Sequence, residues 1–201
     1  MDYKIISFYT GHYQWDAEQL TKSMVKLGIH NFEIEYKDRI GAWEQNTQMK
    51  APFILEKLKQ NNAVVWTDAD SRVRQIPTFF DNVTTDIAVF YLPKQMAGEF
   101  TLPEHSCIKD VEYYLQSGTM YFKNNDRVIK LLERWIELNN EDPRQWDQWT
   151  LQKAILESDV SVTQLPPEYV WMDGVVASVY SERRPVFEHT QASRRFKDKI
   201  R

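Results

Sequence analysis

Two aspartates one residue apart, Asp68 and Asp70, sit inside the stretch AVVWTDADSRV. On an extended chain they share a side, with Cα atoms roughly 7 Å apart. With the charged groups about 4 Å apart and an effective dielectric near 20, they would repel by about 4 kcal/mol. Open water relieves such a pair, and for a bare DxD, a tripeptide that arises often by chance, that is the ordinary answer. A divalent cation also relieves it. Carboxylate oxygens suit Mg²⁺ or Mn²⁺, and an ion held there neutralises phosphate oxygens and acts as a Lewis acid at a diphosphate leaving group.

The elements around the pair shift the balance toward the second answer. AVVWT is apolar without alternation, as in a strand covered on both faces of a mostly parallel sheet. The aspartates fall at its C-terminal end, the edge where open α/β sheets bind ligands. Upstream, Lys4 to Tyr9 reads as a strand, and QWDAEQLTKSMVKLG as a helix with Leu20, Met24 and Leu27 on one stripe and Gly28 just past its end. NFEIEYK alternates as a half-buried strand. DRIGAWEQN reads as a loop, and TQMKAPFILEKLKQNN returns to helical spacing, with Pro52 tolerable only near the first turn. Downstream, DIAVFYL is a strand, and LPKQMAGEFTLPEHSCIKD is a long polar connection of the kind that faces substrate. EYYLQSGTMYF reads as two short strands broken at Ser117 and Gly118, the glycine marking a bulge or a close approach to backbone. NNDRVIKLLERWIELNN carries Val128, Leu131, Leu132, Trp135 and Leu138 on one helical face behind an Asn or Asp cap. The next helix, PRQWDQWTLQKAILES, has Asp147 and Gln148 in its first turn, and SVTQL and the PPEY turn follow.

At 201 residues the chain suits one domain, 1–201, with a basic tail over residues 194–201. A net charge of −4 provides no global attraction to nucleic acid or acidic membranes. The single cysteine, Cys107, rules out an internal disulfide framework and suits a reducing compartment. The start, MDYKIISFY, has an apolar run too short for a signal peptide, and no stretch approaches the eighteen or so apolar residues of a membrane span. The expectation is a soluble, cytoplasmic protein.

An ordered series of segments carries a family resemblance: FYTGHY, GAWEQNTQMKAPFI, VVWTDADSRV, YYLQSGTMYFKNN, WDQWTLQ, LPPEYVWM and EHTQASRR. Along nearly its whole length the chain resembles small GT-A-type glycosyltransferases with a DxD motif, in particular phage and bacterial relatives of retaining galactosyl- and glucosyltransferases. The resemblance implies an α/β GT-A-like domain with a central, mostly parallel mixed sheet flanked by helices. It implies a nucleotide-diphospho-sugar donor, UDP-linked, and Mn²⁺ or Mg²⁺ held by Asp68, Asp70 and His189. It also implies donor contacts from Thr10, Tyr13, Lys50, Asp68, Ser117, Gly118 and Arg195, with Asp147 and Gln148 facing the sugar. Each of these has an ordinary alternative: a packed histidine, a solvated lysine, a helix-capping aspartate, a tail charge.

The implied activity is hexosyl transfer, with Gln148 steadying an oxocarbenium-like sugar and Asp147 binding its hydroxyls. No residue is a convincing covalent nucleophile. The acceptor is open: a glycan, lipid-linked sugar, protein or modified nucleic-acid base, read by loops over residues 92–110 and the C-terminal third. A nucleotide-sugar or glycan-binding module without turnover is the non-enzyme alternative. A haloacid dehalogenase-like phosphatase also places DxD after an apolar strand, but it wants Thr or Val where this chain has Arg72.

Overall fold

Strands and helices alternate from the start of the chain. β1 (Lys4–Tyr9) is rich in β-branched and aromatic residues and leads, through a short 3₁₀ turn, into α1 (Gln14–Lys26). Leu20 and Met24, one turn apart, bury the inner face of α1, and Gly28 follows its end at φ +70°, in the left-handed region that favours glycine. The half-buried β2 (Phe32–Tyr36) is followed by two short helices, α2 (Trp43–Gln48) and α3 (Lys50–Leu58). The expectation of a loop through GAWEQN is corrected by α2. Only six residues long and largely polar, it shows no apolar period, and its entry is tied down by Asn46, whose side chain bonds the backbone of Ile40 and Ala42.

β3 (Ala63–Thr67) is buried at every position and turns directly into β4 (Ser71–Val73). β5 (Ile87–Pro93) and β6 (Tyr113–Lys123) follow, then α4 (Asp126–Glu141), α5 (Asp147–Leu156), β7 (Val162–Gln164), β8 (Trp171–Met172) and β9 (Phe187–His189). The computed structural model describes residues 1–97 and 102–194.

The main sheet has the order β2-β1-β3-β6-β5-β7, and its pairings leave β6 alone running against the other strands. The mostly parallel mixed sheet is therefore present. Alternating residues divide the core: Ile6, Phe8, Val64 and Trp66 meet the helices α3, α4 and α5, while Ile5, Val65 and Ala88 meet α1 and the C-terminal segments. In α4, Asn125 caps the first turn by accepting from the Val128 amide at 3.0 Å, and Val128, Leu131, Leu132, Trp135 and Leu138 are buried as their spacing predicts.

β6 is one strand, not two. Its pairing with β5 jumps from Tyr121 to Gln116 as β5 advances from Ala88 to Phe90, while Thr119 and Met120 stay paired to β3. The break expected at Ser117 and Gly118 is thus a bulge on one side of a continuous strand. A second, three-stranded sheet, β4-β9-β8, joins the segment after β3 to the end of the chain and sets Ser71 opposite His189. Among the described residues, no helix is long and apolar enough to cross a membrane.

Candidate functional site

Asp68 is the first residue past β3. Its amide donates to the Gly118 carbonyl at 2.8 Å, and its own carbonyl accepts from the Ser71 amide at 3.0 Å, closing the turn into β4. The antiparallel β4–β9 ladder then lays the chain beyond His189 along Asp70. The Asp70 carbonyl accepts from the Thr190 amide and hydroxyl at 3.1 and 3.0 Å, and its Oδ2 accepts from the Ala192 amide at 2.7 Å. One ligand-capable atom from each of Asp68, Asp70 and His189 lies within 4.8 Å of the other two. The set is two carboxylates and one imidazole, with His189 buried and the Asp68 side chain 34% exposed.

On the other side of Asp68, the first residue of α3 reaches in. Lys50 Nζ lies 2.9 Å from Asp68 Oδ1 and 2.9 Å from Asp147 Oδ2, and it donates to Ser117 Oγ at 3.2 Å. The Ser117 hydroxyl donates to Asp147 Oδ2 at 2.7 Å, and the Trp66 indole N–H donates to Asp68 Oδ1 at 3.1 Å. Lys50 and Asp147 are both buried. Burial alone would lower the pKa of Lys50, but the carboxylates of Asp147 and Asp68 outweigh it and hold the ammonium above the ordinary lysine range.

The remaining groups lean the other way. The Asp68 carboxyl is pushed above the usual carboxylate range, first by its recessed position and also by Asp70, against the pull of Lys50. His189 is pushed below the usual imidazole range by burial, against Asp70 and Asp68. Among the described residues, three carboxylates thus face one ammonium and an imidazole, a net charge of −2 with the carboxylates ionised and the ring neutral. Carboxylate oxygens with a neutral imidazole form a donor set for a small divalent cation, and that charge matches one.

The structure gathers most of the residues singled out from the sequence. Tyr13 stands at the start of α1, where burial and then the fields of Asp70 and Asp68 push its phenol up to about 12. Thr10 is buried, and its carbonyl accepts from the Tyr13 amide at 3.1 Å. Lys50, Ser117 and Asp147 form one hydrogen-bonded group, and Gln148 follows in the first turn of α5, half-buried. Gly118 is approached closely by the His189 ring: a Cβ on it would lie 2.9 Å from His189 Cε1. Arg195 lies outside the described residues. Arg72 is committed elsewhere, to a buried pair with Asp16 at 3.1 Å.

Sequence reasoning missed Thr119, whose Oγ1 lies 2.9 Å from His189 Nε2, and Trp66 as a donor to Asp68. Each is legible only by adjacency, one residue after Gly118 and two before Asp68. Neither pattern has a period or a motif that announces a hydrogen bond.

The profile of the family described as nucleotide-diphospho-sugar transferase matches residues 36–201. No curated protein matches the chain by sequence. Among solved structures, it is similar to a glycosyltransferase involved in the glycosylation of the major capsid of PBCV-1, with a TM-score of 0.68 and 15% identity over 98% of each chain. It is similar to the galactosyltransferase LgtC in complex with donor and acceptor sugar analogues, with a TM-score of 0.58 and 13% identity over 94% of this chain and 87% of that one. It also matches the bifunctional glycosyltransferase WbbM, with a TM-score of 0.59 and 13% identity, over 94% of this chain and 45% of that one. At such identities the likeness speaks for the fold, which is the expected GT-A-like one.

Proposed function

The chain belongs to the nucleotide-diphospho-sugar transferase family, and from that premise we propose that it is a metal-dependent hexosyltransferase using a UDP-sugar donor. The observation that carries the metal dependence is that, among the described residues, the carboxylates of Asp68, Asp70 and Asp147 gather around the single ammonium of Lys50, with the His189 ring beside Asp70. Asp68, Asp70 and His189 would hold Mn²⁺ or Mg²⁺. Bound there, the ion supplies positive charge for the departing diphosphate.

The chain's own residues divide the remaining work. Tyr13 and Thr10, in the turn after β1, stand where base and ribose would lie, and a phenol ring suits stacking on a pyrimidine. Lys50 fixes Asp68 on the metal side and Asp147 on the sugar side with one ammonium, so the two carboxylates keep a constant separation. Asp147, already receiving hydrogen bonds from Lys50 and Ser117, is suited to accept a sugar hydroxyl rather than to attack carbon. Gln148, next to it in the first turn of α5, would then steady positive charge on the anomeric carbon in a retaining transfer. The acceptor would be read by the segment 92–110 and the C-terminal third. A lone cysteine agrees with a reducing, cytoplasmic setting.

The test is hydrolysis and transfer from UDP-glucose and UDP-galactose, with and without Mn²⁺. Turnover should require the ion and should fall at least ~100-fold in Asp70→Ala, about 2.7 kcal/mol of lost transition-state stabilisation. Full turnover in Asp70→Ala would remove the metal assignment. Tight binding of UDP and Mn²⁺ in calorimetry, with no donor turned over, would make the chain a binding module instead.

A further inference from the structure

His189 reaches the aspartate pair from a strand of three residues near the end of the described chain, and a ring on so short a strand needs something to fix its rotation. Two consecutive residues of β6 do so by independent means. Thr119 Oγ1 lies 2.9 Å from Nε2. Gly118 presents no side chain where the ring lies: a Cβ there would sit 2.9 Å from Cε1, 3.2 Å from Nδ1 and 3.3 Å from Nε2. With the Tyr169 backbone, which also faces the ring, the two residues leave Nδ1 4.0 Å from Asp70 Oδ1. Behind Thr119 the hydroxyls continue, to Thr67 Oγ1 at 3.5 Å and from there to Ser71 Oγ at 2.8 Å, all three residues fully buried.

We propose that Thr119 and Gly118 are positioning residues for the metal site, setting His189 so that Nε2 carries the ring proton and Nδ1 presents its lone pair beside Asp70. This rests on the reading of Asp68, Asp70 and His189 as a metal site. With Nε2–H donating to Thr119, the Thr119 hydroxyl is free to donate onward to Thr67, so the buried hydroxyls can be satisfied in one direction without a water. Partners on the far nitrogen of a metal-bound imidazole ordinarily fix its tautomer and orientation, and losing one lowers metal affinity by roughly 10- to 100-fold. Gly118 thereby has a function that an added methyl would oppose, since a Cβ 2.9 Å from Cε1 would push the ring from its position beside Asp70.

The experiment measures Mn²⁺ binding by electron paramagnetic resonance with UDP present, in wild type, His189→Ala, Thr119→Val, Thr119→Ser and Gly118→Ala, each checked for folding by thermal melting. Thr119→Val keeps volume and branching but removes the acceptor, and it should weaken Mn²⁺ binding about 10- to 100-fold. Thr119→Ser should restore most of that loss, and Gly118→Ala should weaken binding on the same scale. Nitrogen-15 spectra of the metal-free wild type should show His189 as the Nε2–H tautomer. If wild type binds Mn²⁺ and His189→Ala does not, while Thr119→Val and Gly118→Ala bind like wild type, the positioning roles are overturned and the metal site stands. An Nδ1–H tautomer overturns them as well. If wild type binds no Mn²⁺, both the roles and the site they rest on fall.

Discussion

At opposite ends of the same sheet stand two recessed carboxylate networks of opposite construction. Asp86, just before β5, receives five hydrogen bonds: from the amide and hydroxyl of Ser161, from Asn125, and from Nε and a terminal nitrogen of Arg127, at 2.8 to 3.1 Å. Its pKa falls well below the carboxylate range because those donors outweigh the cost of its burial. Asp68, just past β3, receives Trp66 and Lys50 on a single oxygen, and its pKa rises. The first network is complete and neutral. Among the described residues, the second holds more negative charge than it neutralises, which is what the proposed cation site requires.

The comparison can be strained hardest at the one cation in the deficient network. In Lys50→Met the buried Asp147 keeps only the Ser117 hydroxyl, and breaking a buried pair from one side costs about 3 to 5 kcal/mol. Urea unfolding should show that loss, and Asp147→Asn in the Lys50→Met background should recover more than half of it. A loss of well under 1 kcal/mol would mean that Lys50 is a ligand-binding cation rather than a counter-ion. Next in size is Asp86→Ala, which leaves the Ser161 amide and Asn125 without their acceptor. Ser161 is exposed and Asn125 half-buried, so water replaces much of each lost bond, and the variant should lose about 1 to 2 kcal/mol while binding Mn²⁺ like wild type. The sign with pH follows from a depressed folded pKa. The Asp86 contribution is fully present above its unfolded pKa of about 3.9 and is lost as pH falls through the lower folded value, so the gap between wild type and variant should close only below about pH 4.

How much of this was legible in the chain depended on the range of the cause. Local causes were plain: the unalternating AVVWT strand, the α4 stripe and Gly28 past the end of α1 each follow from a period or a special backbone angle. Asp68 and Asp70 were legible because the strand that carries them ends where they begin. His189 entered only through an ordered resemblance, since β9 is three residues long and short strands carry no period; what brings it in is the Ser71–His189 pairing of two distant segments. Lys50 was visible as a residue near the donor, but its bridge between Asp68 and Asp147 depends on α3 and α5 converging, which no local pattern encodes. The helix at Trp43–Gln48 was missed for the converse reason, being local but too short and polar to show a face. The Asp86 network was unanticipated because its donors come from two segments far from it in sequence, the start of α4 and Ser161.

The smallest predicted effect is also the one that separates the two networks by sign. Asp68→Asn keeps the oxygen that accepts from Trp66 and Lys50 but removes a charge that the folded state holds less favourably than water does, since its pKa is raised by recess and by Asp70. Without metal, this variant should melt no lower than wild type, and roughly 1 to 3 °C higher, the scale on which a change of under 1 kcal/mol reads in a chain of this size. With UDP and Mn²⁺ at about 100 times its dissociation constant, wild type should gain about 2.7 kcal/mol and the variant almost none, so the order of the two melting curves reverses. The matching change at the other end, Asp86→Asn, should lower the melting temperature under both conditions. If Asp68→Asn behaves like Asp86→Asn, losing stability whether or not Mn²⁺ is present, the deficit at Asp68 is not a prepared cation site but a carboxylate that the fold itself requires.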